Sequence, residues 1–178
     1  MITRVELPGK AHRRRMSRHF IINDTERIVF SSTVSSSWRT IVEALFFFNS
    51  RQSCLHAAIS STIARTGIPR LIERDRRLWI DVPERSLQCL FACDRLSGSR
   101  VVGVVLFERP VFDTLVILHL AVDPACTSRS SDNETGLGWT MVCKVAQIAR
   151  SIKGVARVQL PYREDCFLRV AQLAQAAR

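Results

Sequence analysis

The residues best suited to chemistry in this 178-residue chain lie in the stretch Val122 to Met141, VDPACTSRSSDNETGLGWTM. An apolar run stops at Asp123-Pro124, small polar residues follow, and a helical pattern begins at Gly136-Leu137-Gly138. The N–H groups at a helix start lack intrahelical partners and sit at the positive end of the helix dipole, so they form an anion site. Glycine there lets a diphosphate approach the main chain where a Cβ would collide. Such a loop is either a phosphate cradle or a plain connection whose glycines permit a tight turn and close helix–sheet packing. In the first case Asn133, Glu134, Thr135, Gly136, Leu137 and Gly138 are the cradle.

Composition narrows the classes of protein this can be. Hydrophobic residues make up 47% and charged residues 24%, which suits one globular domain with a real core. The longest apolar cluster, Ala44-Leu45-Phe46-Phe47-Phe48, is far too short to span a bilayer. The first residues, MITRVELPGKAHRRRMSRHF, carry charge with no apolar segment behind it, which argues against a secretory signal and for a cytoplasmic protein. With 26 Lys and Arg against 16 Asp and Glu, the formal charge of +10 draws anions: nucleic acid, a phosphorylated cofactor or an acidic substrate. Much of it is local. The run His12-Arg13-Arg14-Arg15 with Arg18 and His19 marks residues 1–25 as a basic arm, either a solvated tail or a grip for an anionic partner. The six cysteines, at 54, 89, 93, 126, 143 and 166, form no Cys-x-x-Cys pair and meet no matching histidine spacing. No metal site is expected from them; buried, reduced thiols are, with Cys89 and Cys93 on one side of a strand.

The elements that must position the loop follow from periodicity. ERIVFSST, Glu26 to Thr33, is a β-rich run, and Ser35-Ser36-Ser37 offers N-cap hydroxyls to a helix with Trp38, Ile41, Val42, Leu45 and Phe46 on one face. A second helix follows, with Leu55, Ala58, Ile59, Thr62 and Ile63 on a face and Gly67 and Pro69 as its stop. RLIERDRRLWIDVPE is charged and broken by proline, which reads as a connection with a helical turn. LQCLFACD and RVVGVVLFE are strands joined by a hairpin signal at Leu96-Ser97-Gly98-Ser99, and TLVILHLAVD reads as a central strand covered on both faces. After the polar loop, Leu137, Met141, Val145, Ile148 and Ile152 mark a helix, VARVQL a buried strand and EDCFLRVAQLAQAAR a closing helix. The strand–helix–strand portion needs a crossover, so its strands should run parallel. The expected fold is therefore α/β (α+β), a single domain over residues 26–178 with a mixed, largely antiparallel sheet flanked by helices.

The block from Leu118 to Leu160 resembles the core of the GNAT acyltransferase family. In that family a strand ending in Leu-x-Val-x-Pro leads to a loop with Gln or Arg, two residues, Gly, one residue, then Gly or Ala. Here Leu120-Ala121-Val122-Asp123-Pro124 precedes Asn133-Glu134-Thr135-Gly136-Leu137-Gly138, and the upstream order of strand, helix pair and three-strand meander is also similar. The resemblance covers roughly Glu26 to Leu160.

What the resemblance implies is an acyl-CoA N-acyltransferase fold and an enzyme that transfers acetyl from acetyl coenzyme A to an amine by direct attack in a ternary complex. Residues 133 to 138 would hold the pyrophosphate. The main chain of Leu120, Ala121 and Val122 would pair with the pantetheine arm, with an N–H near Val122 polarising the thioester carbonyl. Asn133 stands where the family has Gln or Arg, and Arg129 is a second group to meet phosphate. His119, with an ordinary pKa of about 6.5, is a candidate base or else a hydrogen-bonded core residue. Glu108 competes with it for that role, or is a strand-end charge. Tyr162, the one tyrosine, is the candidate to protonate the leaving thiolate, though it precedes the last helix, where the family carries that residue. The acceptor would be a small-molecule, peptide or RNA-linked amine, in a monomer or homodimer. The family's terminal hairpin is not expected here, its place taken by a partner chain or a rearranged sheet edge. Two other functions compete: a binding module that keeps the fold without the chemistry, and a nucleic-acid-binding protein using the arm.

Overall fold

The strands of the main sheet are runs of β-branched and aromatic residues bounded by Asp, Gly, Pro and Ser, the residues that open turns. A computed structural model describes residues 27–47, 49–126, 136–163 and 165–171. The basic arm, Phe48 and the polar loop with Arg129, Asn133, Glu134 and Thr135 lie outside the described residues. Nine strands and three α-helices are described: β1 (Ile28–Ser31), β2 (Val34–Ser35), α1 (Arg39–Phe47), α2 (His56–Thr66), β3 (Arg70–Arg74), β4 (Arg77–Asp81), β5 (Leu87–Asp94), β6 (Arg100–Val111), β7 (Thr114–Val122), α3 (Leu137–Ser151), β8 (Arg157–Gln159) and β9 (Phe167–Arg169).

Six strands form one sheet in the order β1-β5-β6-β7-β8-β9, antiparallel except for the β7–β8 pair, and β2-β4-β3 form a second. The meander and the parallel pair linked by α3 match the expected α/β arrangement. Each face of the large sheet carries its own core. Val42, Leu45 and Phe46 of α1 pack with the small sheet against Phe91, Val104, Leu106 and Leu118. On the other face Met141, Val145 and Ala149 of α3, four residues apart, are fully buried against Val105, Phe107, Ile117 and Val158. Burying a Val or Met side chain of this kind is worth about 1.5–3 kcal/mol, so α3 is held by packing. Cys89 and Cys93 share the α1 face.

Two expectations are overturned. Residues 70–81 form a hairpin and not a helical turn: Leu71 and Ile80, and Ile72 and Trp79, are cross-strand partners. Its two-residue turn, Asp75-Arg76, has φ of 51° and 59°, both in the left-handed region that hairpin turns with the strands' own twist demand. The closing stretch begins as a strand, since β9 pairs antiparallel with β8 through Val158 and Leu168. Extending the sheet edge satisfies main-chain groups that a helix there would leave on β8 unpaired. Residues 172–178 lie outside the described residues.

A third difference bears on function. Ile59, Thr62 and Ile63 of α2, the face expected to join the core, instead wall a cavity between α2 and the sheet. Thr66 is the one buried residue of that helix.

Candidate functional site

Two features of β7 build the site. The first is a bulge. Leu106 of β6 pairs with His119 and Phe107 with Ile117, so two β6 neighbours face three β7 positions and Leu118 is the extra residue. Strict alternation from Ile117 would put His119 on the α3 face. The bulge sets Leu118 and His119 both toward α1, and His119 reaches the cavity.

The second feature is a divergence. β8 pairs with β7 only over Thr114–Val116, opposite Arg157–Gln159. Beyond that point the two strands part, and among the described residues no strand covers that edge of β7. Asp123 donates its N–H to Val102 O of the β6 side at 2.8 Å. By alternation the main-chain groups of Ala121 also point to β6, whereas those of Leu120 and Val122 point to the open edge. Of the three main-chain positions expected to meet a ligand, Leu120 and Val122 therefore face the open edge and Ala121 does not. The Val122 carbonyl on that edge accepts from Asn49 Nδ2 at 2.9 Å.

His119 is 7% exposed and lies edge-on to Phe46, with ring centroids 4.5 Å apart. The Gln52 amide nitrogen is 3.1 Å from its Nε2, and the Tyr162 hydroxyl is 2.5 Å from its Nδ1. In the tautomer in which the Gln52 N–H donates to Nε2, the neutral ring carries its proton on Nδ1 and donates it to the Tyr162 oxygen. Burial pushes the His119 pKa down to about 4, the Phe46 main chain opposing it more weakly, so the ring is neutral at pH 7. Burial likewise pushes the Tyr162 hydroxyl up to about 12, with the main chain of Leu120 pulling the other way. Its oxygen thus lies between the imidazole and the open edge of β7 at Leu120. In that tautomer its own O–H is left to donate outward.

Tyr162 is held there under strain. Its φ is 62°, a left-handed conformation that costs a non-glycine residue on the order of 1–3 kcal/mol. The turn after β8 is closed by Leu160 N–H donating to Cys166 O at 2.9 Å, and this aims the ring back into the cleft.

Two cavities meet at this residue. One, of about 330 Å³, runs beneath α2 and is mostly apolar, with His119 and Tyr162 in its wall. The other, of about 210 Å³, lies where β7 and β8 part and includes Val116, Gln159, Arg65 and Arg163. Leu118, Thr62 and Tyr162 line both.

Glu108 is placed elsewhere. Its carboxylate is ion-paired to Arg85 at 2.6 Å, and Arg85 also donates to the Arg65 carbonyl. The structure brings together His119 and Tyr162 but not Glu108. Asn49 and Gln52, which the sequence reading did not single out, complete the group. Their only signal in the sequence is polar residues between two apolar helices.

At the mouth of α3, Gly136 precedes the first turn with φ −58° and no side-chain cap. A Cβ added at Gly136 would meet nothing within 4 Å, and one at Gly138 would make ordinary contact with Leu120 and Val122 at 3.6 and 3.8 Å. Neither glycine has a positive φ. Among the described residues, then, neither turn geometry nor helix packing requires glycine at these two positions. Leu137 packs on the α3-side core, which leaves its main-chain N–H as the group it can offer. No group of three or more His, Cys, Asp or Glu side chains among the described residues could hold a metal ion. None of their helices is long and apolar enough to cross a membrane.

Comparison with protein-family models, with curated proteins and with solved structures finds no match for this chain.

Proposed function

We propose that the protein is an N-acyltransferase of GNAT type, moving acetyl from acetyl coenzyme A to an amine. The observation that carries this reading is the open edge of β7. There the Leu120 and Val122 main chain turns outward beside a helix mouth whose two glycines no packing among the described residues demands. The donor set suits a phosphorylated thioester. Amides along a strand edge pair with an amide-bearing arm, and helix N–H groups with a diphosphate. Gly136, Leu137 and Gly138 would hold the phosphates, and the arm would meet Val122 and the carbonyl of Leu120, whose N–H is turned to the Tyr162 oxygen. Asn49 already occupies the Val122 carbonyl, so Val122 contributes through its N–H alone.

Bound there, acetyl coenzyme A supplies an activated acyl carbon and a thiolate leaving group. The chain's own residues do the rest. The Val122 N–H donates to the acyl oxygen and stabilises charge that develops on it. Tyr162 donates its outward O–H to the departing sulfur as the N–C bond forms and the C–S bond breaks. The amine's surplus proton replaces the one Tyr162 gives up, so no further reactant is consumed. His119 acts through Tyr162: buried, neutral and fixed by Gln52, it positions the hydroxyl.

Calorimetry with acetyl coenzyme A tests the reading. Micromolar binding that Gly136→Phe abolishes is the expected result, because nothing described lies near that Cβ to make the substitution unfold the chain. Absence of binding to the unsubstituted protein would rule the reading out.

A further inference from the structure

The larger cavity also bears on what the acceptor is, an inference that rests on the acyl-transfer reading. We propose that it takes the acceptor, and that the acceptor is a small apolar primary amine, aryl- or short-alkyl-substituted, with no second charge.

The walls argue for this first. Phe46, Phe47, Ile59, Ile63, Leu106 and Leu118 are among the walls of a mostly apolar lining. Its polar members include Asn49, Gln52, Ser53 and His56, and no Asp, Glu, Lys or Arg is among the described lining residues. A polyamine or a lysine side chain in a peptide brings a further charge or a polar backbone, and either would enter this space without a carboxylate to meet it. Burying such a charge unpaired is costly. The formal charge of +10 adds repulsion against multivalent cations at longer range.

The same walls favour the reactive form of a simple amine. An apolar environment disfavours the ammonium and so presents the free base, which is the nucleophile. The cavity, about 330 Å³, is near the lower end of the roughly 300–1,000 Å³ typical of small-molecule sites, which fits one ring or a short chain. Its inner wall is Tyr162, which also borders the cleft where the strands part, so an amine held in the cavity meets the acyl group across that hydroxyl.

The test uses 2-phenylethylamine and hexylamine against spermidine and N-acetyl-lysine amide. It measures free thiol formed from acetyl coenzyme A, and binding of each amine to the protein alone. Two variants, Ile63→Trp and Ile59→Trp, fill the cavity from successive turns of α2, and circular dichroism checks that each is folded. The expected result is thiol release with the two apolar amines, weakened at least about tenfold in a folded cavity-filling variant with acetyl coenzyme A binding retained. Thiol release that prefers spermidine or the lysine amide would overturn the acceptor class and leave the acyl-transfer reading standing. Equal rates in folded filled variants would overturn the cavity as the site. No acetyl coenzyme A binding, and no thiol release with any amine, would overturn the acyl-transfer reading itself and the acceptor role with it.

Discussion

Tyr162 turns back from a left-handed position just after β8 to set its hydroxyl 2.5 Å from Nδ1 of His119, 43 residues earlier in the chain. The contact joins the loop after β8 to the bulge of β7, across the cleft where those strands part. Strain at Tyr162 and burial of His119 are both unfavourable alone. Together they place a polarised O–H between two cavities.

Tyr162→Phe keeps the ring and removes the donor. Turnover of acetyl coenzyme A with an amine should fall by about 100-fold or more, within the range general acid catalysis contributes. Stability should fall by about 1–3 kcal/mol, because the buried Nδ1–H of His119 loses its acceptor. Rates and urea midpoints measure the two effects separately. Unchanged turnover would remove Tyr162 from the chemistry.

The single tyrosine makes its ionisation directly visible. With the hydroxyl pushed up to about 12, phenolate absorbance near 295 nm should be absent from the folded protein at pH 10.5. It should appear at about pH 10, the ordinary tyrosine value, once the chain is unfolded in urea. Phenolate in the native protein at pH 10 would contradict the burial described.

His119 makes stability depend on pH in a stated direction. Its folded pKa of about 4 lies below the ordinary value of about 6.5, so between these the unfolded chain binds the proton and the native one does not. Stability is therefore unaffected by this group above about pH 6.5. It should decline by on the order of 3 kcal/mol as pH falls to about 4, and this contribution then levels off. Melting curves at pH 7.5 and 4.5 measure it. His119→Gln should flatten that part of the profile, and an identical slope in the variant would assign the effect to other groups.

Much of the frame could be read from the sequence because its signals are local. The runs LQCLFACD, RVVGVVLFE and TLVILHLAVD became β5, β6 and β7, and Asp123, where the apolar run stops, shapes the turn by accepting from Ala125 N–H at 2.9 Å. The β3–β4 hairpin was missed because its turn is Asp-Arg, with two non-glycine residues at positive φ. β9 was missed because three strand residues sit in a stretch with a helical period. The site itself depends on non-local facts. A bulge decides which way His119 faces, and the φ of Tyr162 decides that a residue lying before the expected last helix still reaches it.

Glu108 tests the division of labour. Ion-paired to Arg85 and outside both cavities, it is assigned to structure. Glu108→Gln should leave turnover unchanged and lower stability by up to about 1 kcal/mol, the range of a partly exposed pair. A loss of turnover comparable to that of Tyr162→Phe would return it to the mechanism.

The open edge of β7 is tested most directly by amide NMR during titration with acetyl coenzyme A. The N–H resonances of Leu120 and Val122 should shift progressively to saturation, while that of Ala121, turned toward β6, should move far less. Saturating ligand that leaves Leu120 and Val122 unmoved, or moves Ala121 most, would contradict the central claim.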